Sequence, residues 1–257
     1  KAGLDVRWTI RPDLEWSATL NPTFSEVAPD ALQPTFNRRF AIYYPENRPF
    51  FKQGTWVFNT ASNFVDTRQI ADPGWATKLV GQLNANAMGI LVANDSITNI
   101  LLPGQQSSAL QSFNFNTRDA LLRYRYDSSN DASVGVLATG RKGGGYDSGL
   151  LAFDGSWKLD PSDSIRAQVS RSSTTYPQQV ATAFGIDPGT VTGNDWLVAF
   201  TRTRSNYRTS LSLDHISEGF RADLGYLPQV GYTEARPRFT YNWYSHTSWW
   251  QNGGLGG

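Results

Sequence analysis

The sequence predicts an all-β protein, and more narrowly an antiparallel transmembrane β-barrel of the outer-membrane type with about twelve strands in this chain. Three observations carry that expectation. Apolar and polar residues alternate over runs of ~8–11 residues, the length a tilted strand needs to cross a bilayer; globular strands average nearer ~5–6. Tight turns alternate with long connections along the chain. The 257 residues also include 9 Trp, 11 Tyr and 14 Phe, an aromatic share of 13%, as expected where rings sit at the two membrane interfaces.

In GLDVRWTI, Leu4, Val6, Trp8 and Ile10 alternate with Asp5, Arg7 and Thr9. An RPD turn leads into LEWSATLN, where Leu14, Trp16, Ala18 and Leu20 oppose Glu15, Ser17 and Thr19, so the two runs read as a hairpin. WATKLVGQL (75–83) and MGILVAND (88–95) make a second hairpin around Asn84–Asn86. DALLRYRYD (119–127) pairs with ASVGVLATGRK (132–142), and GLLAFDGSWKL (149–159) turns at DPSD into SIRAQVSRSS (164–173). DWLVAFTRTR (195–204), YRTSLSLDHI (207–216), FRADLGYL (220–227) and TEARPRFTYNWY (233–244) complete the series. RPD, NAN, SSND, DPSD and RSN are the tight turns; the long connections are 96–116, 140–149 and 174–194, with a helical turn or two expected near 107–111 and 177–185.

Period-two alternation sorts these runs into two faces. Trp8, Trp16, Phe153, Val169, Val198 and Leu211, with Leu224 and Tyr226, fall on the face expected to meet lipid. Arg7, Arg123, Arg125, Asp154, Arg166, Arg208 and Asp223 fall on the face expected to line a lumen. Alternation by itself also fits a soluble sandwich or propeller, whose apolar face meets a second sheet. Such a protein would be released without detergent.

Composition excludes several function classes. The 23 basic and 22 acidic residues leave a net charge of +1, so no field or basic cluster points to nucleic acid. Cysteine is absent, which removes disulfides, thiolate metal sites and cysteine nucleophiles. No run of about 18 apolar residues exists to form a transmembrane helix. The chain begins inside a strand pattern, KAGLDVRW, and reads as a mature or trimmed piece of a longer protein.

One segment, 22–59, breaks the pattern. Its heart, FNRRFAIYYPENRPFFKQG, is too aromatic for a solvated loop and too interrupted by proline for a strand or helix. A connection of about forty residues inside a compact domain is expected to be functional or to carry its own structure. It therefore folds inward and partly plugs the lumen, or it forms a periplasmic or surface loop with a small core of its own. The inward reading has Arg38, Arg39 and Arg48 meeting lumen carboxylates, with Tyr44, Phe50 and Phe51 packed together and Glu46 among them.

Chemistry-bearing motifs are few. His215 and His246 have no triad or metal spacing around them, so no metal or cofactor is expected. Glu26, Asp30 and Glu46 are weak candidates for the paired acids of glycoside hydrolysis, with no spacing that fixes a pair. RKGGGYD (141–147) lacks the Lys-Ser/Thr and helix of a phosphate loop and reads as a flexible loop tip. ANDSITN (93–99) and IDPGTVTGND (186–195) only loosely follow a calcium loop and lack its terminal Glu.

Four stretches, NPTFSEVAPDALQ, FNRRFAIYYPENRPFF, TRQIADPGWATKLVG and RADLGYL, resemble a bacterial family of uncharacterised outer-membrane β-barrel proteins. Its members usually carry an N-terminal family 9-type carbohydrate-binding domain, and many bear the label membrane-associated hydrolase. The resemblance runs from Gly3 to about Tyr244, with Asn47 standing where the family more often has lysine. It implies an outer-membrane location, a link to carbohydrate, and a single barrel domain over 1–257 that is the first part of a longer barrel. It leaves three functions open: a solute channel or glycan-binding barrel, a membrane-anchored glycan hydrolase, and a barrel that anchors a partner chain. The partners it implies are outer-membrane lipid, a glycan, and either another chain or the remainder of the barrel.

Overall fold

In the computed structural model the alternating runs form strands, and residues 3–22, 39–129, 131–244 and 252–256 are described. In chain order the strands are β1 (Leu4–Arg11), β2 (Leu14–Leu20), β3 (Pro73–Leu83), β4 (Asn86–Asp95), β5 (Thr98–Leu102), β6 (Ala109–Phe113) and β7 (Thr117–Ser129). They continue as β8 (Ala132–Gly143), β9 (Tyr146–Lys158), β10 (Asp163–Tyr176), β11 (Gly189–Thr203), β12 (Tyr207–Ile216), β13 (Tyr232–Tyr244) and β14 (Asn252–Gly256). All but β5 and β6 form one 12-stranded sheet in chain order, with antiparallel neighbours throughout. β5 and β6 make a separate hairpin within the β4–β7 connection. Among the described residues β1 and β14 are the sheet edges, and the sheet is not closed.

The turns divide the two rims. Those after β1, β3, β7, β9 and β11 are tight; the connections after β2, β4, β10 and β12 are long. At 140–149 the expected long loop is a tight hairpin instead. β8 and β9 extend to meet across Gly144 and Gly145, whose φ angles of 58° and 79° supply the two positive-φ positions such a turn requires. The expected helical turn at 107–111 is replaced by β6, and the one at 177–185 is helix α1 (Gln178–Phe184), stopped by Gly185 at φ 67°.

FRADLGYL is not a strand. Phe220, Ala222 and Leu224 alternate as strand residues do, but the chain at 217–231 turns off the sheet and folds inward. Two glycines permit this: a Cβ at Gly225 would lie 2.5 Å from the Asn63 carbonyl, and one at Gly219 would run into that of Thr192. Leu224 is therefore buried in the core and Tyr226 is half-buried, so neither lies on the outward face, and Asp223 reaches the interior from a turn rather than from the wall.

The sheet is inverted relative to a soluble one. Its outward face carries Leu4, Val6, Trp8, Ile90, Leu122, Phe153, Val169, Val198 and Leu211, each more than 40% exposed. Trp16 lies opposite Trp8 on the same face, partly covered. The band has definite edges. In β10, Asp163 and Arg171 bracket Ile165, Ala167 and Val169; in β11, Arg202 and Asn194 bracket Phe200, Val198 and Trp196. Register sets Asp163 opposite Arg202 and Arg171 opposite Asn194, so at a tilt of about 40° the edges of the two strands agree in height to about one residue. Eight residues at about 3.3 Å each span about 26 Å along a strand, or about 20 Å of height at a tilt of about 40°. That approaches the roughly 25 Å apolar band of an outer-membrane wall. The opposite face holds the buried polar residues Lys78, Asp95, Asp119, Arg123, Arg141, Gln168 and Asp195.

Leu211→Arg places a guanidinium within this band and is expected to cost insertion about 2–4 kcal/mol, against little effect for Ser210→Arg on the inner face. Folding yield in lipid vesicles of graded urea content measures the difference; equal yields would contradict the assignment of faces.

Candidate functional site

The inner face of the wall is covered by two pieces of chain, 39–72 and 217–231. The first lies across the strands from β3 to β10. Lys78 on β3 donates from its ammonium to the carbonyls of Phe50 and Gln53. Gly89 on β4 leaves room for Val57 and Phe58, which a Cβ would meet at 2.8 Å. On β8, Arg141 donates to the Gln69 carbonyl at 2.7 Å. On β10, the Gln168 carbonyl oxygen accepts from the N–H groups of Ala61 and Ser62 at 3.0 and 3.2 Å, while its amide donates to Ser62 Oγ and to Asp195. Between these polar ties, Phe51, Val57, Phe58, Phe64 and Ile70 pack with Val80, Leu91, Leu121, Leu137 and Leu150 of the wall. The ties fix position, and the apolar layer supplies most of the free energy, about 25 cal/mol per Å2 buried.

Arg48 organises the segment from within. Its guanidinium donates to both Glu46 carboxylate oxygens and to the carbonyls of Ile70 (2.7 Å) and Thr67 (2.6 Å), and its Cζ lies 4.2 Å from the Phe51 ring centre. Thr67 Oγ1 donates to Glu46 at 2.7 Å. The Pro-Glu-Asn-Arg-Pro-Phe-Phe motif is thus a fold-back: Arg48 ties 46–51 to 67–70, and Phe50 and Phe51 meet edge to face at 5.0 Å. The expectation that Arg48 meets wall carboxylates is corrected: its acid is Glu46, two residues away. Four wall acids are taken by wall arginines, with Asp119 and Asp95 on Arg141, Asp154 on Arg123 and Asp214 on Arg236, while Asp195 accepts from Gln168 and Ser170 and Asp95 also from the Ala71 and Asp72 N–H groups. A buried acid cannot wait for a distant partner at acceptable cost.

The second piece clamps the first. The Asp66 N–H donates to the Leu224 carbonyl at 2.7 Å, and the Tyr226 N–H to that of Asn63 at 2.9 Å. Phe64 packs on Phe220 with ring centres 5.5 Å apart, and Tyr43 on Tyr226 at 5.2 Å. Asp223 is held from the wall by the Tyr146 hydroxyl.

The remaining expected residues fall as follows. Arg39 is exposed at the start of the described segment. Tyr44 is 38% exposed, with the Arg68 guanidinium 5.7 Å from its ring, and does not join the Phe50–Phe51 pair. Arg7 is on the polar face of β1, 3.6 Å from Glu15. Arg125 pairs with Asp127 at 3.0 Å and approaches the Trp56 ring. Arg208 is exposed on the inner face, and Arg166 lines an open hollow of about 670 Å3 near the tight-turn rim, with Gln82, Asp127, Ser133, Ser156 and Lys158. Glu26, Asp30 and Arg38 lie outside the described residues. Lys78 and Arg141 were not singled out from the sequence. Their one signal was a long polar side chain at mid-strand on the inward parity.

The acids of the segment are pushed in opposite directions. Burial pushes Glu46 up, but the Arg48 hydrogen bonds and charge outweigh it and hold the carboxyl below its usual range. Burial, reinforced by the Glu46 charge, raises Asp66 to about 6 although the Arg68 N–H donates to it. Both Glu46 oxygens are engaged, which suits a structural carboxylate better than an acid catalyst. Among the described residues no group of three or more His, Cys, Asp or Glu could hold a metal ion.

Fold and interior together define a class: an antiparallel β-wall with an apolar exterior and a mixed interior, in which buried polar residues and an apolar layer hold the chain's own segments. Residues 1–101 match the family described as Domain of unknown function (DUF5916). No curated protein matches. Among solved structures the chain is similar to OccK8 (OprE) of Pseudomonas aeruginosa, at 12% identity and a TM-score of 0.41 over 65% of this chain and 51% of that one. It is also similar to in-vitro folded OmpT, an outer membrane protein of Vibrio cholerae, at 10% identity and a TM-score of 0.40 over 92% and 86%. The chain thus spans about half the length of the Pseudomonas protein.

Asp66 gives the segment a pH dependence of definite sign. Its folded-state pKa lies above the unfolded value, so ionisation costs the folded state; its contribution falls as pH rises from about 4 through about 6. Asp66→Asn keeps the acceptor for the Arg68 N–H and removes the ionisation. The variant is expected to melt higher than the parent at pH 7 in detergent and to decline less steeply between pH 4 and 7. An unchanged slope would count against a buried ionising Asp66.

Proposed function

We propose that the chain is the wall and internal plug of an outer-membrane β-barrel, through which passage of a polar solute is governed by residues 39–72. The observation that carries this reading is the inversion of the sheet: large apolar side chains stand exposed outside while arginine, lysine and aspartate are buried inside. In water that arrangement would leave an extended apolar surface exposed; in a bilayer it is the stable one.

The inner segment lies across the inner face between Lys78, Gly89, Arg141 and Gln168, and the hollow with Arg166 and Lys158 opens beside the tight turns. The plug would have to shift for a solute to pass, and the contacts that retain it are the backbone bonds to Leu224 and Tyr226 and the ties from Lys78 and Gln168. The carbohydrate link implied by the family resemblance has support only in the exposed aromatic rings of the segment, Tyr43, Tyr44 and Trp56, which offer faces for sugar stacking. A hydrolase reading is less favoured, because Glu46 is saturated by Arg48 and Thr67.

The test uses the full-length protein in an outer-membrane host. Recovery in the outer-membrane fraction, dependence on detergent and a heat-shifted gel band are expected, with low conductance in planar bilayers. Gly225→Val, whose side chain strikes the Asn63 carbonyl, should loosen the clamp and raise conductance severalfold while the heat-shifted band persists. Release into the soluble fraction without detergent would overturn the barrel; unchanged conductance in a correctly folded Gly225→Val protein would overturn the plug.

A further inference from the structure

Charged side chains are sparse on the outward face, and three basic ones mark its edge toward the long-connection rim: Arg118, Lys142 and Arg171. Arg118 on β7 stands directly opposite Lys142 on β8. Like charges directly opposed across an antiparallel pair destabilise it unless something neutralises them. Lys142 has Asp147 at 2.8 Å, but neither Arg118 nor Arg171 makes a salt bridge to a described residue. The same hydrogen-bonded row passes from Arg118 through Asn94 to Trp75, whose exposed indole is the residue type that sits at headgroup height.

Arg171 lies at the same height. The row of Arg118 reaches β10 at Thr175, by way of Lys142 and Asp147, and Arg171 is four residues toward the band from there. Tilting strands by about 40° moves a level line by about 1.2 residues per strand, so about 3.6 over three strands. Arg118, Lys142 and Arg171 therefore form a basic collar just above the apolar band.

We propose that this collar binds the phosphate groups of lipids in the adjoining leaflet, with Arg118 and Lys142 as one seat. The proposal rests on the barrel reading. It commits to a lipid because the residues face outward at the band's edge, where headgroups lie. The Arg118 guanidinium supplies a fork to one phosphate, and the Lys142 ammonium, shared with Asp147 at 2.8 Å, adds a point charge beside it.

The experiment measures lipids retained by the full-length detergent-purified protein, by native mass spectrometry. The probe is a bis-phosphorylated glycolipid, compared with its dephosphorylated form and with inorganic phosphate. The parent is expected to retain the phosphorylated lipid, and Arg118→Gln and Lys142→Gln each to retain about fivefold less. Arg202→Gln, at the opposite edge of the band, should match the parent. Equal retention by all variants, equal retention of the dephosphorylated lipid, or displacement by millimolar phosphate would each overturn the proposal. A gel of the same samples separates the two claims: a failed collar leaves the heat-shifted band intact, whereas a failed barrel reading abolishes it.

Discussion

Charge buried inside an inverted wall must be neutralised where it stands, and most of the interior follows from that constraint. A soluble sheet sends its arginines and aspartates to water. This one turns them toward a partly filled interior, where an unpaired charge costs several kcal/mol. The wall answers with pairs between neighbouring or next-neighbouring strands, Arg123 with Asp154 and Arg141 with Asp119. Donors left over are directed at backbone carbonyls of the inner segment, as Lys78 does to Phe50 and Gln53 and Arg141 to Gln69. The segment therefore serves the wall as much as the wall holds the segment: removing it would take both carbonyl acceptors from Lys78 and the Gln69 carbonyl from Arg141.

The same constraint explains the composition of the inner segment. It needs bulk to exclude water, hence Phe51, Phe58 and Phe64. It also needs carbonyls free to receive the wall's donors, hence a path of single helical and 3-10 turns broken by proline rather than a long regular element whose carbonyls are already engaged. Arg48 permits that irregularity: one buried guanidinium satisfies two carbonyls and one carboxylate and closes the fold-back around a single helical turn, Pro49–Lys52, which Pro49 starts rather than prevents. The 217–231 connection completes the arrangement, with Gly225 allowing backbone to approach backbone.

The wall was legible in the sequence because its signal is local. Alternation in GLDVRWTI or SIRAQVSRSS reports the face of each residue within a few positions, and tight turns such as DPSD mark where strands end. The inner segment was legible only as an anomaly. Its partners lie 20 to 180 residues away, and nothing nearby in sequence selects Gln168 for Ala61 or Leu224 for Asp66. FRADLGYL shows the opposite failure: three apolar residues at period two imitate a strand, and only the close approach of Gly219 and Gly225 to other backbone reveals a turn. At RKGGGYD the glycines were visible, but their need for positive φ in a two-residue turn, rather than flexibility, was the informative property.

The whole arrangement depends on which face of the wall meets lipid. A nitroxide scan through consecutive positions 164–170 of β10, in the refolded full-length protein in lipid vesicles, measures this most directly by comparing collision with oxygen and with a water-soluble nickel complex. A strict two-residue period is expected, with oxygen access high at Ile165, Ala167 and Val169 and low at Arg166, Gln168 and Ser170. A reversed phase, or nickel access at Ile165, Ala167 and Val169 equal to that of a water-exposed turn, would contradict it.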